Sequence, residues 1–145
     1  MAYCALADLK NQIPEEKIIG LTDDEGAGII NEARVTEAIA KADALIDSYC
    51  GQVATVPFVT VPAVIKQHSI TLAIYYLYTR RAVAPELIKD NYKDAIKHLG
   101  DISTGKAALP PTTEADYEDQ IKASGPEEEA TGEDRTFTKD KMGSY

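Results

Sequence analysis

The chain has no tryptophan, two phenylalanines and two cysteines, and its 15 basic residues fall well short of its 24 acidic ones. Each shortage removes a class of explanation. Cys4 and Cys50 are too few and too far apart for a disulfide framework or a cysteine metal site, so they read as free thiols of a reducing compartment. A net charge of −9 with no basic stripe gains nothing from releasing counterions on a phosphate backbone, which argues against sequence-reading of DNA. The longest apolar stretch, "ITLAIYYLY", gives way at Thr79 to two arginines, well short of the roughly 20 residues that cross a bilayer. The opening "MAYCALADLK" lacks the basic-then-apolar order of a secretory signal.

What is present divides unevenly. A length of 145 residues fits one domain plus an appendage. Residues 1–109 hold 11 Lys/Arg against 14 Asp/Glu, whereas 110–145 hold 4 against 10, so the C-terminal quarter carries most of the acidity. From Pro110 onward Pro, Gly, Thr, Ala and Glu dominate, a composition that cannot offset its own ordering entropy. The expected organisation is a helical bundle domain over 1–109, an acidic linker over 110–134 and a C-terminal binding segment over 135–145. The linker reaches at most roughly 80 Å fully extended, or about 28 Å as a flexible coil.

The periodicity predicts an all-α fold: two short N-terminal helices, three longer ones and an extended C-terminal tail. A first short helix over 6–13 should stop before Pro14, because the residue ahead of a proline is pushed out of the helical region. "PEEKIIGL" predicts a second, with Pro14 in its first turn and Gly20 ending it. Val35, Ala38, Ile39, Ala42, Leu45, Ile46, Tyr49 and Cys50 recur at helical spacing and predict an amphipathic helix that ends at Gly51. "QVATVPFVTVP" reads as an extended connector or short hairpin. A fourth helix is expected over 63–83. Its 70–78 stretch is apolar on nearly every side, and in so small a bundle a partner subunit is the expected cover. The fifth helix, over 86–103, should present Ile88, Tyr92, Ala95, Ile96, Leu99 and Ile102 inward and stop at Gly105.

No motif supplies a catalytic set. "DDEGAGIINEAR" imitates a calcium loop at Asp23, Glu25 and Gly28, but Ala27 takes an oxygen ligand's position and Arg34 stands where a bidentate Glu belongs. It reads instead as a turn and a helix start, capped by Asn31 or Asp24. His68 and His98 lie thirty positions apart with no ligand cluster beside either, so each reads as an ordinary helix residue. No metal or cofactor is expected, and no enzymatic activity.

Two segments carry contact chemistry. In the fourth helix Ile70, Ile74, Tyr75, Tyr76 and Tyr78 read as core or inter-subunit residues, because a tyrosine buries its ring while keeping a polar tip. Arg80 and Arg81 suit that helix's negative end and also a neighbour's acidic surface. At the C-terminus Arg135, Thr136, Phe137, Thr138, Lys139, Asp140 and Lys141 alternate small β-formers with charges around one aromatic ring. That pattern suits a strand pairing with another protein's sheet edge, main chain giving affinity and Phe137 filling a pocket. It equally fits a frayed terminus.

Taken in order, "LTDDEGAGIINEARVTEAIAKADALIDSYC", "PFVTVPAVIKQHSITLAIYYLYTRR", "YKDAIKHLGDISTGKAAL" and "RTFTKDKMGSY" resemble the head-completion or adaptor proteins of Mu-like tailed bacteriophages and prophages. The resemblance covers most of residues 3–109 and the last eleven. It implies an all-helical domain assembled as a ring, of twelve subunits, beneath the portal protein and above other neck or tail-completion proteins. DNA would pass through the channel without sequence-specific binding. The implied location is the neck of the virion, with the host cytoplasm as the site of assembly. One departure is that the family often carries an Arg-Tyr pair before the connector's first proline, where this chain has "GQVATVPF"; that pair's contacts do not carry over. Residues 135–141 are the expected contact with the portal or an adjacent subunit. The competing reading of the residues is a soluble bacterial helical module that binds one protein partner as a monomer or dimer.

Overall fold

A computed structural model describes residues 2–110. It contains five helices: α1 (Leu6–Gln12), α2 (Glu15–Thr22), α3 (Glu32–Cys50), α4 (Ala63–Arg80) and α5 (Glu86–Ser103). Among the described residues there is no strand, so the fold is the all-α bundle the periodicity predicts. The connector after α3 is a run of turns and bends with a cis Val56-Pro57 bond, neither hairpin nor extended strand.

Prolines and one asparagine set the helix starts. Pro14, Pro62 and Pro85 sit immediately before α2, α4 and α5 with φ of −58°, −59° and −58°, the angle their rings impose. Asn31 begins α3, and its side-chain oxygen accepts from the Arg34 N–H at 3.3 Å. At the far end of α5, Gly105 adopts φ +80° while Lys106 N–H donates to Asp101 O at 2.8 Å and Gly105 N–H to Ile102 O at 3.1 Å. That pair of bonds around a left-handed glycine satisfies the orphan carbonyls of the last turn.

Two boundaries differ from expectation. Gly20 lies inside α2 rather than ending it, because the helix continues to Thr22, whose hydroxyl bonds back to Ile18 O at 2.8 Å. The fourth helix ends at Arg80, not at about 83, since Ala82 takes φ +57°, a left-handed conformation no helix continues through.

The helix that looked too apolar is the centre of the bundle. α4 packs against α1, α2, α3 and α5, and Leu72, Ala73 and Leu77 are essentially inaccessible. Its apolar excess is covered within one chain, which corrects the expectation that a partner subunit must supply the cover. Leu9 from α1, Ile18 from α2, Ile46 from α3, and Leu99 and Ile102 from α5 complete that cover. Burying such a side chain contributes about 1.5–3 kcal/mol each, and the four helices around α4 bury several.

Candidate interaction surface

The N-terminal segment is tied down by a buried polar network. Asp43, in the middle of α3 and 7% exposed, accepts from the Tyr3 N–H at 2.9 Å and from the Ser69 hydroxyl of α4 at 2.6 Å. Ser69 Oγ lies 3.1 Å from Cys4 Sγ. The Tyr3 hydroxyl bonds to Asp47 and accepts from the Phe58 N–H at 3.1 Å, which brings the connector into the same network. Tyr3 and Phe58 meet edge to face with ring centroids 5.6 Å apart. Burial and the bond to Asp47 push the Tyr3 phenol well above its usual value, so it stays protonated as a donor. Burial pushes the Cys4 and Cys50 thiols up to about 11, and the charge of Asp47 adds to the effect at Cys50. Both are free and buried, the opposite of an activated nucleophile.

Against this segment lies a groove of about 690 Å³. It is lined by Ala2, Cys4 and Leu6 on one side and by Val35, Ile39, Ala40 and Ala44 of α3 on the other. Glu32, Asp43 and Asp47 also line it. Among the described residues, none of these three carboxylates pairs with a lysine or arginine. The groove is therefore apolar in its floor and uniformly acidic in charge.

The near-calcium loop is a latch. Asp23 accepts from the backbone N–H groups of Glu25, Ala27 and Gly28 at 3.1, 3.1 and 2.7 Å, and those bonds hold its carboxyl below the usual range. Asp24 pairs with Arg80, with Arg81 at 2.9 Å and with Arg34 at 3.8 Å. Arg80 also donates to Leu21 O at 2.9 Å and Arg81 to Asp23 O at 2.8 Å. The two arginines expected at the end of the fourth helix are thus engaged within their own chain.

The other predicted contact residues of α4 separate by depth. Ile70, Ile74 and Tyr78 are buried core, whereas Tyr75 and Tyr76 are half-buried. Tyr75 stacks on Tyr92 of α5 with centroids 3.8 Å apart and planes 17° apart, and Tyr76 meets Tyr92 edge-on at 6.3 Å. Burial, then the neighbouring Tyr92, pushes the Tyr76 phenol up to about 12. Arg135, Thr136, Phe137, Thr138, Lys139, Asp140 and Lys141 lie outside the described residues.

The structure also joins what looked separate. His68 Nε2 of α4 is 2.6 Å from His98 Nδ1 of α5, the rings packed edge to face at 4.9 Å, so the two are a pair rather than separate, ordinary helix residues. Burial first, and the second imidazole next, push His68 down to about 4. Nothing in a thirty-residue separation signals this contact. Asp43 did leave a signal, since it sits within an otherwise apolar helical stripe between Ala42 and Ile46. Among the described residues no group of three or more His, Cys, Asp or Glu gathers to hold a metal, and no helix is long and apolar enough to cross a membrane.

Comparison with known proteins decides the family. The model of the family described as Bacteriophage Mu, Gp36 matches residues 3–125. The chain belongs to the Mu Gp36 family. One relative, the Mu-like prophage FluMu protein gp36 of Haemophilus influenzae, is 36% identical over 80 residues, 55% of this chain and 55% of that protein. Gene product J of Escherichia phage Mu is 28% identical over 107 residues, covering 73% of this chain and 74% of that protein. The chain thus spans little more than half the length of the first relative and about three quarters of the second. Membership of this Gp36 family accords with the order of motifs in the sequence.

Proposed function

We propose that this Gp36-family protein is a structural, non-enzymatic component of a Mu-like virion that joins head to tail. In this reading it forms a ring, of twelve subunits, below the portal protein, receives further neck or tail-completion proteins on its other side, and keeps the DNA channel open. The observation that carries the reading is the family match over residues 3–125. The physics is compatible at three points. The bundle closes around α4, a buried polar network ties Tyr3 and Cys4 to α3 and α4, and the net charge of −9 would not hold passing phosphates. A closed ring needs one surface of each subunit to meet a different surface of the next. Because the apolar side of α4 is used internally, that contact must come from elsewhere, and residues 135–141 with the portal or an adjacent subunit are the candidates.

The test is removal of residues 135–145 in a phage or prophage that encodes this chain. The truncated protein should keep its helical signal and melting transition, while heads and tails accumulate unjoined. Normal incorporation of the truncated protein into joined particles would sink the assignment of that contact to residues 135–141.

A further inference from the structure

We propose that the acidic groove along α3 receives residues 135–145 of a second copy of this chain. The proposal deepens the assembly role, resting on it only for the presence of neighbouring copies. Among the described residues a copy offers no sheet edge, so the terminal segment cannot add itself to this domain by main-chain pairing. It must dock through side chains, and the groove presents a matching series.

Along α3 the lining residues recur once per turn: Glu32, then Val35 with Thr36, then Ile39 with Ala40, then Asp43 with Ala44, then Asp47. Read in order, the series is acid, apolar, apolar, acid, acid, with about 6 Å between residues four apart. In an extended segment alternate residues share a face at about 6.6 Å intervals, which would place Arg135, Phe137, Lys139 and Lys141 together. That series is cation, aromatic, cation, cation. With Lys141 opposite Asp47, Lys139 falls opposite Asp43 and Phe137 over Ile39 and Ala40, and the long Arg135 side chain extends toward Glu32. The span from Arg135 to Lys141 is about 20 Å, against about 22 Å from Glu32 to Asp47. In that extended arrangement Asp140, the one acid of this stretch, would fall on the opposite face with Thr136 and Thr138.

Charge completes the case. Asp43 is 7% exposed and hydrogen-bonded, yet meets no cation within the described residues, and neither do Glu32 and Asp47. A buried carboxylate is costly unless paired, so an incoming ammonium recovers part of that cost. Residues 110–134 span at most roughly 80 Å, several times the ~13 Å radius of gyration of a domain this size. A tail on one copy and a groove on the next form the head-to-tail contact that closes rings.

The experiment uses the full chain, with a photo-crosslinking benzoylphenylalanine in place of Phe137, mixed with heavy-isotope full-length chain. Mass spectrometry should find light–heavy crosslinks concentrated on α3 around Ala40. Ala40→Trp in the acceptor fills the groove at an exposed position, and Glu32→Arg reverses its outer charge. Each should lower the yield about five-fold or more, and Arg135→Glu in the donor should restore the yield lost with Glu32→Arg. Circular dichroism of both acceptors checks that the helices persist. Crosslinks confined to one copy, crosslinks to other helices, a yield indifferent to these changes, or no crosslink at about millimolar chain overturn the proposal. The particle assay separates the two claims: if truncation blocks joining while no crosslink reaches α3, this contact fails and the assembly role stands. Crosslinks on α3 combined with normal incorporation of truncated chain leave the contact standing and show that joining does not require it.

Discussion

Asp24, in the loop ahead of α3, is shared by Arg80, Arg81 and Arg34, whereas Asp43, deeper and in the middle of α3, meets no cation among the described residues. The more exposed carboxylate is the one that meets cations, three of them, and the buried one is held by a backbone N–H and a hydroxyl. At the end of α4 the charges serve to close a loop over the chain's own helix termini. Along α3 three carboxylates line an apolar groove, and among the described residues none of them pairs with a lysine or arginine. The first region belongs to the fold alone. The second ties the N-terminal segment to the bundle through Asp43, which accounts for an acid in an apolar stripe.

Removing Asp43 should break the comparison most severely. Asp43→Ala strands the buried Ser69 hydroxyl and the Tyr3 N–H and should cost ~2–5 kcal/mol of unfolding free energy in a urea titration. Stability within about 0.5 kcal/mol of the parent would show that the network is not structural.

The histidine pair between α4 and α5 gives the next largest effect. His68 is pushed down to about 4 when folded, against about 6.5 unfolded, so the unfolded chain takes up its proton first. The stability it contributes is complete above pH 6.5 and is lost as pH falls from there toward 4. The melting temperature should drop by a few degrees more over that window in the parent than in His68→Gln, the pair's partial exposure limiting the size. Identical pH profiles would place the histidines outside the stability balance.

Asp24→Ala should have the smallest effect: a slight fall in melting temperature at low salt that shrinks at high salt, as expected of pairs near the surface. A loss as large as that of Asp43→Ala would erase the contrast between the two regions.

The helices were legible because their signals are local. Apolar spacing, three prolines, Asn31 and Gly105 each act within one turn, and the boundaries follow them closely. Gly20 misled because a glycine only weakens a helix, and Thr22 with the packing of Ile18 and Leu21 carries α2 past it. The burial of α4 was legible as a period lost on all sides, but its cover was not, since which helices surround it depends on connections far apart in sequence. The same holds for His68 with His98 and for Tyr3 with Asp43, forty residues apart. Of the candidate site, Tyr75 and Tyr76 are half-buried rings, Arg80 and Arg81 proved to be latched to Asp24, and the α3 groove went unseen because one wall of it, Ala2, Cys4, Ala5 and Leu6, comes from a segment distant in sequence.

The claim that this Gp36-family chain is a neck protein is tested most directly by imaging the head–tail junction of particles that encode it. The account predicts twelve copies of the five-helix bundle as a ring under the portal, with α4 at each subunit's centre. A neck built without this chain, or density for it only elsewhere in the particle, would contradict it.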